Sequence, residues 1–215
     1  MKLIDPKHEI LFQTMHHSDI EATAACISQV FSNFEPIAKT LKISADEFYK
    51  FAVQVCRKAA DEAVSNIAKD CKTGAIVGFI ISEDLMTPYT VPTEGIDRKF
   101  EGVFSLLAEL EENYRSCHQV RTGQVLHILM IGVHEQYTQR HIAKRLVKEN
   151  LKLAKRNGFE IAIAEATGVA SQELFRTLGF TEEFAIEYKS YQFKGEQIFI
   201  SIDHPPNCLL MSSLI

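Results

Sequence analysis

A nine-residue apolar run, followed by a polar turn and an amphipathic helical pattern, constrains the fold of this chain more than any other feature. The run is Val125–Val133 (VLHILMIGV), and its β-branched and long aliphatic residues predict a buried central strand. After the turn at 134–139, apolar residues recur at three- and four-residue spacing as far as Ala154, and Gly158 stands just beyond, which predicts a helix with a glycine stop. The amino end of such a helix presents unpaired backbone N–H groups and partial positive charge. The stretch therefore predicts an anion-binding turn.

A second strand and a second helix follow in the sequence. Residues 160–167 (EIAIAEAT) form another mostly apolar strand pattern, and residues 171–180 predict a short helix that ends in Leu-Gly-Phe. Strand, polar turn, helix, strand and a helix closing on Leu-Gly-Phe occur in this order in one large family. The chain resembles the GNAT superfamily of acetyl-CoA-dependent N-acetyltransferases, and its pattern is most similar to that of arylalkylamine N-acetyltransferase-like members.

The resemblance implies a fold class, a domain organisation and a co-substrate. The fold class is α/β, of the α+β kind, with a mixed, mostly antiparallel sheet that is splayed at the central strand and flanked by helices. Residues 1–215 would form a single GNAT-like acetyltransferase domain, which agrees with a length that allows one sizeable core. The implied co-substrate is acetyl-CoA, and no metal is implied.

The turn before the predicted helix departs from the family pattern, Arg/Gln-x-x-Gly-x-Gly/Ala. Thr138 lies where Arg or Gln is usual, His141 where the first Gly is usual, and Ala143 agrees with the last position. Backbone N–H groups bind the phosphates, whereas a Gly lets pyrophosphate approach without a Cβ in the way. His141 therefore bears on the affinity for acetyl-CoA rather than on the fold, and the alternative is a helix start that binds nothing. The residues that the resemblance places at acetyl-CoA are Ile131, Val133, Thr138, Gln139, Arg140, His141, Ile142 and Ala143.

Glu35 is the first candidate for the base that acetyl transfer requires, since the acceptor ammonium must lose a proton before its nitrogen can attack. The stretch Phe34-Glu35-Pro36-Ile37 resembles the Glu-Pro motif of the arylalkylamine group, in which that glutamate acts as a base through water. Apolar neighbours on both sides would desolvate the carboxylate and raise its pKa. The alternative is an ordinary loop acid beside a proline.

His127 interrupts the apolar central strand, where a polar residue needs a structural or chemical reason. Its position matches a histidine of vertebrate-type arylalkylamine acetyltransferases that is placed on the proton path, although Leu129 stands where those enzymes carry a second histidine. The resemblance implies that His127 assists Glu35. The alternative is a core histidine whose hydrogen bonds are satisfied.

Thr167 and Ser171 are candidates for protonating the thiolate that leaves during the transfer. Many family members use a tyrosine for this step, but the corresponding residue here is Phe175, which has no proton to give. Insect-type arylalkylamine members carry hydroxyls that align with Thr167 and Ser171. The alternative for Ser171 is that it only caps the amino end of its helix. The resemblance also implies that a backbone N–H between Met130 and Val133 donates to the thioester oxygen.

The remaining elements follow from local patterns. Two capping boxes, Ser18 with Glu21 and Ser44 with Glu47, predict the starts of two helices. The other predicted elements are a strand at 9–15, a hairpin of strands at 66–71 and 75–82, a helix at 96–116, and closing strands at 184–189 and 196–200.

Composition and charge argue against some classes of binding partner and some cellular compartments. A net charge of −5 argues against nucleic acid as a partner, and no apolar run approaches the roughly 20 residues of a membrane span. The amino terminus lacks the apolar core of a secretory signal. Five cysteines without a CxxC pair or metal-ligand spacing predict free thiols, no metal site and a cytoplasmic protein. We expect a monomer or a homodimer.

The residue patterns and the resemblance together predict an N-acetyltransferase. It would move an acetyl group from acetyl-CoA to a small primary amine by direct attack, with arylalkylamines as one candidate class of acceptor. Two alternatives stay open. One is a degenerate acyl-CoA-binding or regulatory module, which would bind acetyl-CoA without turnover. The other is an acetyltransferase of a protein or peptide amine, which would have a groove open at both ends.

Overall fold

The computed structural model describes residues 2–5, 9–87 and 97–215. Within these ranges the chain forms eight strands and six α-helices, with short 3-10 helices at His17–Asp19 and Glu135–Tyr137. The strands are β1 (Lys2–Asp5), β2 (Ile10–Thr14), β3 (Asn66–Asp70), β4 (Ile76–Asp84), β5 (Val125–Val133), β6 (Ile161–Ala166), β7 (Thr181–Glu187) and β8 (Asn207–Leu214). The α-helices are α1 (Ile20–Phe34), α2 (Pro36–Thr40), α3 (Ala45–Glu62), α4 (Lys99–Cys117), α5 (Ile142–Arg156) and α6 (Val169–Thr177).

The strands form one mixed sheet in the order β1-β2-β3-β4-β5-β6-β8-β7. Each neighbouring pair is antiparallel except β5 and β6, which run parallel. Helices α5 and α6 cover one face through an apolar cluster that includes Leu146 and Phe175. Helices α1 and α3 cover the other face through Ile27 and Phe51, and α4 packs beside them and against a third cluster through Leu110. This mostly antiparallel α/β architecture confirms the predicted fold class.

The sheet splays in its middle, on one side of β5. This strand pairs with β4 as far as Val133, but it pairs with β6 only over its first four residues, ending at Ile128 opposite Ala164. A register shift in the β4 pairing leaves Leu129 as an extra residue in β5, which is the geometry of a β-bulge. From Leu129 onwards β5 and β6 diverge, and the gap between them opens the candidate site.

The bulge also changes which side chains of β5 face which layer. Before it, Leu126 and Ile128 belong to the apolar cluster under α5 and α6. After it, Ile131 and Val133 pack against that same cluster. Side chains alternate between faces along a strand, so the extra residue exchanges the even and odd positions.

The amino-terminal predictions are partly confirmed. The box of Ser44 and Glu47 forms as predicted, because the Ser44 Oγ accepts from the Glu47 N–H at 3.2 Å and the Glu47 carboxylate accepts from the Ser44 N–H at 2.7 Å. The box of Ser18 and Glu21 is wrong. The chain enters α1 through a 3-10 turn, so Asp19 occupies the cap position and its carboxylate accepts from the His16 N–H at 3.0 Å.

The carboxyl-terminal prediction of a strand at 196–200 is wrong. The alternation there reflects turns that bury single side chains, with the Phe199 ring stacked 5.5 Å from the Tyr191 ring. The last strand is instead β8, whose central residues Leu209, Leu210 and Met211 are buried between β6 and β7. Strand β1 and helix α2 were not predicted, and position 96, where the fourth helix was predicted to begin, lies outside the described residues.

Two further predictions concern bulk properties. Among the helices that the structure describes, none is both long and apolar enough to cross a bilayer. The five cysteines are free, as predicted, and three of them, Cys26, Cys56 and Cys208, are buried. Burial raises the pKa of the Cys26 and Cys56 thiols to about 12, so these two are packing groups rather than nucleophiles.

Candidate active site

A cavity of about 630 Å³ lies where β5 and β6 diverge. Its wall is built from β5, the ends of β6 and α1, the short helix α2, and faces of α3, α4 and α6. Most of the lining side chains are apolar. The described lining residues with polar side chains are Glu35, Glu135, Thr138, Glu165, Thr167 and Ser171.

Phenylalanine rings form the wall that α3 and α4 contribute. Phe48 and Phe51 come from α3, and Phe100 and Phe104 come from α4. The Phe48 and Phe100 ring centroids are 5.4 Å apart, and those of Phe51 and Phe104 are 5.3 Å apart. These separations are typical of aromatic rings that attract one another, so this wall is apolar and closely packed.

The turn between β5 and α5 has the backbone geometry of an anion site. Gln139 and His141 both take left-handed conformations, with φ of 62° and 57°. His141 is the cap residue of α5, and its side chain makes no hydrogen bond to the first N–H groups of the helix. Those N–H groups and the helix dipole are therefore available to a phosphate.

The eight residues predicted to contact acetyl-CoA are distributed over the strand, the turn and the helix start. Ile131, Val133, Thr138 and Ala143 line the cavity. The Ile142 side chain is 3% exposed and belongs to the core, so only its backbone N–H is open to a ligand. The remaining three, Gln139, Arg140 and His141, lie on the turn beside the cavity.

The Arg140 side chain is held near the turn by its neighbours. Its guanidinium lies 4.7 Å from the centroid of the Tyr137 ring, and one nitrogen donates to the Gln136 carbonyl at 3.4 Å. The Tyr137 hydroxyl in turn donates to the Asp70 carboxylate at 3.0 Å. Arg140 is thus a placed positive charge beside the predicted phosphate site.

Glu35 is not an ordinary loop acid, because it caps a helix. Its Oε2 accepts from the Ala38 N–H at 2.5 Å at the start of α2. Its Oε1 is buried and has no hydrogen-bond partner among the described residues. Burial raises the pKa of the Glu35 carboxyl, and the Ala38 N–H and the nearby Thr167 hydroxyl lower it by less.

Thr167 and Ser171 both line the cavity close to α2. Ser171 is not the cap of α6, since Gly168 occupies that position. The Ser171 hydroxyl instead accepts from the Gly168 N–H at 3.2 Å and donates to the Gly168 carbonyl at 2.9 Å. The Thr167 backbone is fixed by the Tyr188 hydroxyl, which donates to its carbonyl at 2.7 Å.

His127 does not line the cavity but lies behind it. Its ring is 1% exposed, with Nε2 2.6 Å from a Glu165 oxygen and Nδ1 3.3 Å from a Glu83 oxygen. Lys58 Nζ donates to the other Glu83 oxygen at 2.7 Å. Burial lowers the pKa of His127, but Glu165, Glu83 and Glu111 outweigh it and raise the pKa well above its usual value. The imidazole is therefore a buried cation between two carboxylates.

Glu165 is a polar residue of the cavity wall that the sequence analysis did not select. Its side chain is 2% exposed, lines the cavity, and keeps Oε1 buried without a partner in the part of the chain that the structure describes. The signal was present, because Glu165 interrupts an apolar strand just as His127 does. What the sequence could not show is that β5 and β6 place the two residues in contact.

Three acidic and imidazole groups come close together behind the cavity, but their geometry is that of hydrogen bonding. Glu111, His127 and Glu165 place potential ligand atoms within 4.8 Å of one another. Around a tetrahedral zinc ion, with bonds of about 2 Å, ligand atoms lie about 3.3 Å apart. The His127 and Glu165 atoms are 2.6 Å apart, so they share a proton directly.

Residues 33–180 match a family model described as "Acetyltransferase (GNAT) family". A solved structure of the C-terminal condensation domain of Ebony in complex with beta-alanyl-dopamine has a TM-score of 0.87 and 18% identity, covering 96% of this chain and 99% of that chain.

Two insect enzymes are also similar in structure. Arylalkylamine N-acetyltransferase 2 from Aedes aegypti has a TM-score of 0.78 and 23% identity, with 96% of this chain and 99% of that chain covered. A Drosophila melanogaster polyamine N-acetyltransferase that forms N-acetylagmatine has a TM-score of 0.75 and 18% identity, with the same coverage of 96% and 99%. At these identities the structural likeness establishes a shared fold.

Proposed function

Because the chain belongs to the GNAT family of acetyltransferases, we propose that it transfers an acetyl group from acetyl-CoA to a small primary amine that bears an aromatic group. The cavity is the observation that most directly supports this proposal. It joins the anion-binding turn to a wall of phenylalanine rings, and the Glu35 carboxylate lies on its surface. A cavity that is mostly apolar with a few polar groups suits a small ligand with one reacting end.

The chain's own groups would perform three tasks in this reaction. The backbone N–H groups at the start of α5, with Arg140 beside them, bind the phosphates of the co-substrate. Glu35 Oε1 takes a proton from the acceptor ammonium through water, which frees the lone pair that attacks the thioester carbonyl. A nitrogen–carbon bond forms and a carbon–sulfur bond breaks. The Ser171 or Thr167 hydroxyl supplies a proton to the sulfur and regains one from the acylated nitrogen, which loses its extra proton as the amide forms.

The splay of the sheet supports the remaining task. Residues 129–133 of β5 have no pairing with β6, so backbone N–H groups on that side face the cavity wall. An N–H between Met130 and Val133 would donate to the carbonyl oxygen as negative charge develops on it. His127, behind Glu165, assists as a fixed buried charge rather than as a group in the cavity.

The aromatic acceptor is supported by the neighbours as well as by the wall. One neighbour holds beta-alanyl-dopamine and another is an arylalkylamine N-acetyltransferase. A third forms N-acetylagmatine, whose acceptor has a charged end instead of a ring. The rings of Phe48, Phe51, Phe100 and Phe104 favour the aromatic class over the charged one.

Turnover measured by thiol release tests the proposal. We expect acetyl-CoA-dependent acetylation of 2-phenylethylamine with a kcat/KM at least tenfold above that for agmatine or for the terminal amine of a short peptide. A preference for the peptide would favour the protein-amine alternative. Acetyl-CoA binding without turnover of any amine would favour the regulatory module.

Binding of acetyl-CoA is tested separately by calorimetry. Ala143→Glu places a carboxylate where the phosphates should bind, and we expect it to abolish binding through repulsion and crowding. The matched control is Gln197→Glu, an exposed position in the connection between β7 and β8, which should bind as the parent does. Equal affinity of the Ala143→Glu protein and the parent would place the phosphates elsewhere.

A further inference from the structure

Two carboxylates on the wall of the same cavity each keep one oxygen buried and unpartnered within the described residues. They are Glu35, whose Oε2 caps α2, and Glu165, whose Oε2 lies 2.6 Å from His127 Nε2. An ionised oxygen in an apolar cavity is costly unless a donor or a cation meets it. The general base of the proposed reaction accounts for Glu35 alone, and Glu165 remains without a role.

The two carboxylates lie close together along the cavity wall. Glu165 is the penultimate residue of β6, and Thr167 follows two residues later, next to Glu35. Both Glu165 and Thr167 line the cavity, and residues two apart in extended backbone lie about 7 Å apart. Glu35 and Glu165 therefore face the same region of the cavity, near the point where β6 gives way to α6.

The protein holds the Glu165 carboxylate in place from behind. His127 binds its Oε2, and the other nitrogen of His127 contacts Glu83, which is paired with Lys58. Charge thus alternates along a chain of four side chains from α3 through β4 and β5 to β6. Such a chain fixes the side chain of Glu165, while its Oε1 is left for a ligand.

The acceptor of the proposed reaction arrives with a matching charge. A primary alkylamine has a pKa near that of lysine, about 10.4, so at neutral pH it is almost wholly an ammonium ion. The cavity must first bind this ion and then deprotonate it, and the two carboxylates on its wall can each perform one of these tasks. We propose, on the basis of the function proposed above, that Glu165 binds the acceptor's ammonium group in an orientation set by His127, while Glu35 removes its proton.

The proposal makes Glu165 a determinant of specificity for charged acceptors. Glu165→Gln keeps the size of the side chain and leaves His127 bound to Glu83, so it removes the charge with little change of shape. Calorimetry without co-substrate compares 2-phenylethylamine with 2-phenylethanol, which has the same ring and no charge. The parent should bind the amine at least tenfold more tightly than the alcohol, and Glu165→Gln should reduce that ratio at least fivefold.

Kinetics separate this role from that of a base. We expect Glu165→Gln to raise the KM for the amine about tenfold with kcat within about threefold and the KM for acetyl-CoA unchanged, since ground-state binding is what it removes. Glu165→Asp retains the charge and should recover part of the amine-over-alcohol ratio. The matched control is Asp19→Asn, which removes another buried, ion-paired carboxylate, away from the cavity, and should leave the ratio unchanged.

Several outcomes would overturn the proposal. One is an amine-over-alcohol ratio in Glu165→Gln equal to that of the parent, with thermal unfolding showing that both are folded. If Glu165→Gln does not fold, Glu165→Asp decides instead: an amine-over-alcohol ratio below that of the parent supports the role, because the shorter side chain moves the charge, and a ratio equal to that of the parent contradicts it. Amine binding that depends on Glu165, without turnover of any amine, would contradict the proposed function but still support the role of Glu165 in binding. A parent that binds neither ligand overturns both.

Discussion

Glu35 combines two tasks that its two oxygens divide. One oxygen is fixed by the backbone of α2 and the other is left buried on the cavity wall. The proline that follows is at the first position of that helix, where its missing N–H costs nothing. The Glu-Pro pair is therefore a helix start that holds a desolvated carboxylate at the cavity.

Substitution of Glu35 by Gln separates these tasks. The amide can still accept from the Ala38 N–H but cannot take a proton, so we expect kcat to fall roughly a hundredfold or more. The parent's kcat should rise with pH as Glu35 loses its proton, with a midpoint above the usual glutamate range, because burial raises that pKa. Steady-state rates across pH check both statements, and a near-full kcat in Glu35→Gln would contradict them.

The raised pKa of Glu35 also affects the stability of the fold, and the effect depends on pH. A raised folded-state pKa contributes stability below the unfolded value of about 4.3, and this contribution is lost as pH rises through the folded-state value. At neutral pH the buried carboxyl is thus a cost to folding. Glu35→Gln should unfold at the temperature of the parent or higher, and a large loss of stability together with acetyl-CoA binding would mark Glu35 as structural.

His141 departs from the family pattern at a position that glycine would suit. Its φ of 57° is in the left-handed region, which costs a non-glycine residue about 1 kcal/mol. We expect His141→Gly to leave the Kd for acetyl-CoA unchanged or lower, because the backbone relaxes and a Cβ is removed. Calorimetry checks this, with Lys194→Gly as the control, since Lys194 has a φ of 52° in a distant turn. A loss of tenfold or more, about 1.4 kcal/mol, would mean that the imidazole itself binds phosphate.

Cavity residues that belong to a local backbone motif were easier to find from the sequence than residues that meet through side-chain contacts between strands. The turn was predictable because neighbouring residues determine a helix start, and Glu35 was chosen through the resemblance of its Glu-Pro motif, although the helix that it caps was not predicted. Glu165 was not selected, because its partner His127 is adjacent only through the parallel pairing of β5 with β6. Contacts between strands distant in sequence depend on register, which a single sequence does not state.

Helix starts show the same limit at the scale of an element. Two serines of the same capping pattern behave differently, as Ser44 caps α3 while Ser18 lies in a 3-10 turn ahead of α1. We expect Ser44→Ala to lower the free energy of unfolding by about 1 kcal/mol. Ser18→Ala, also exposed, should change it by less than about 0.5 kcal/mol. Denaturant titration of both proteins measures this, and equal effects would contradict the assigned caps.

The strands were predictable where apolar residues alternate or cluster between turn residues, as in β3, β4, β5 and β6. The closing region was not. Residues 196–200 have an alternating pattern but bury Phe199 through turns, whereas β8 is the strand that completes the sheet. Short patterns of this kind are satisfied by either arrangement, and tertiary packing decides between them.

Helix α1 and the sheet approach each other closely at Gly132. A Cβ on Gly132 would lie 2.5 Å from the Phe79 ring and 2.9 Å from Val30 Cγ1, so helix α1 sits against the backbone of β5. We expect Gly132→Ala to destabilise the fold by about 1–3 kcal/mol, as overpacking does, and to raise the KM for the amine by moving α1 at the cavity wall. Denaturant titration and steady-state kinetics measure the two effects.

A second glycine provides the comparison. A Cβ on Gly102 would meet the terminal methyl of Ile198, a flexible end that can rotate away. Ala also favours the helix over Gly by roughly 1 kcal/mol, which offsets part of the crowding. Gly102→Ala should therefore change the free energy of unfolding by less than about 1 kcal/mol, and a loss equal to that of Gly132→Ala would contradict the reading of both sites.

Because of the bulge at Leu129, the effect of changing the length of the central strand depends on whether the number of residues added or removed is odd or even. Even-numbered residues of β5 face the α5 layer before Leu129, and odd-numbered residues face it afterwards. Removing or adding one residue would turn every later side chain to the opposite layer, and with it the strand edge that borders the cavity. Two residues would restore the order. Natural variation in the length of this strand should therefore come in even steps, which an alignment of related sequences can check.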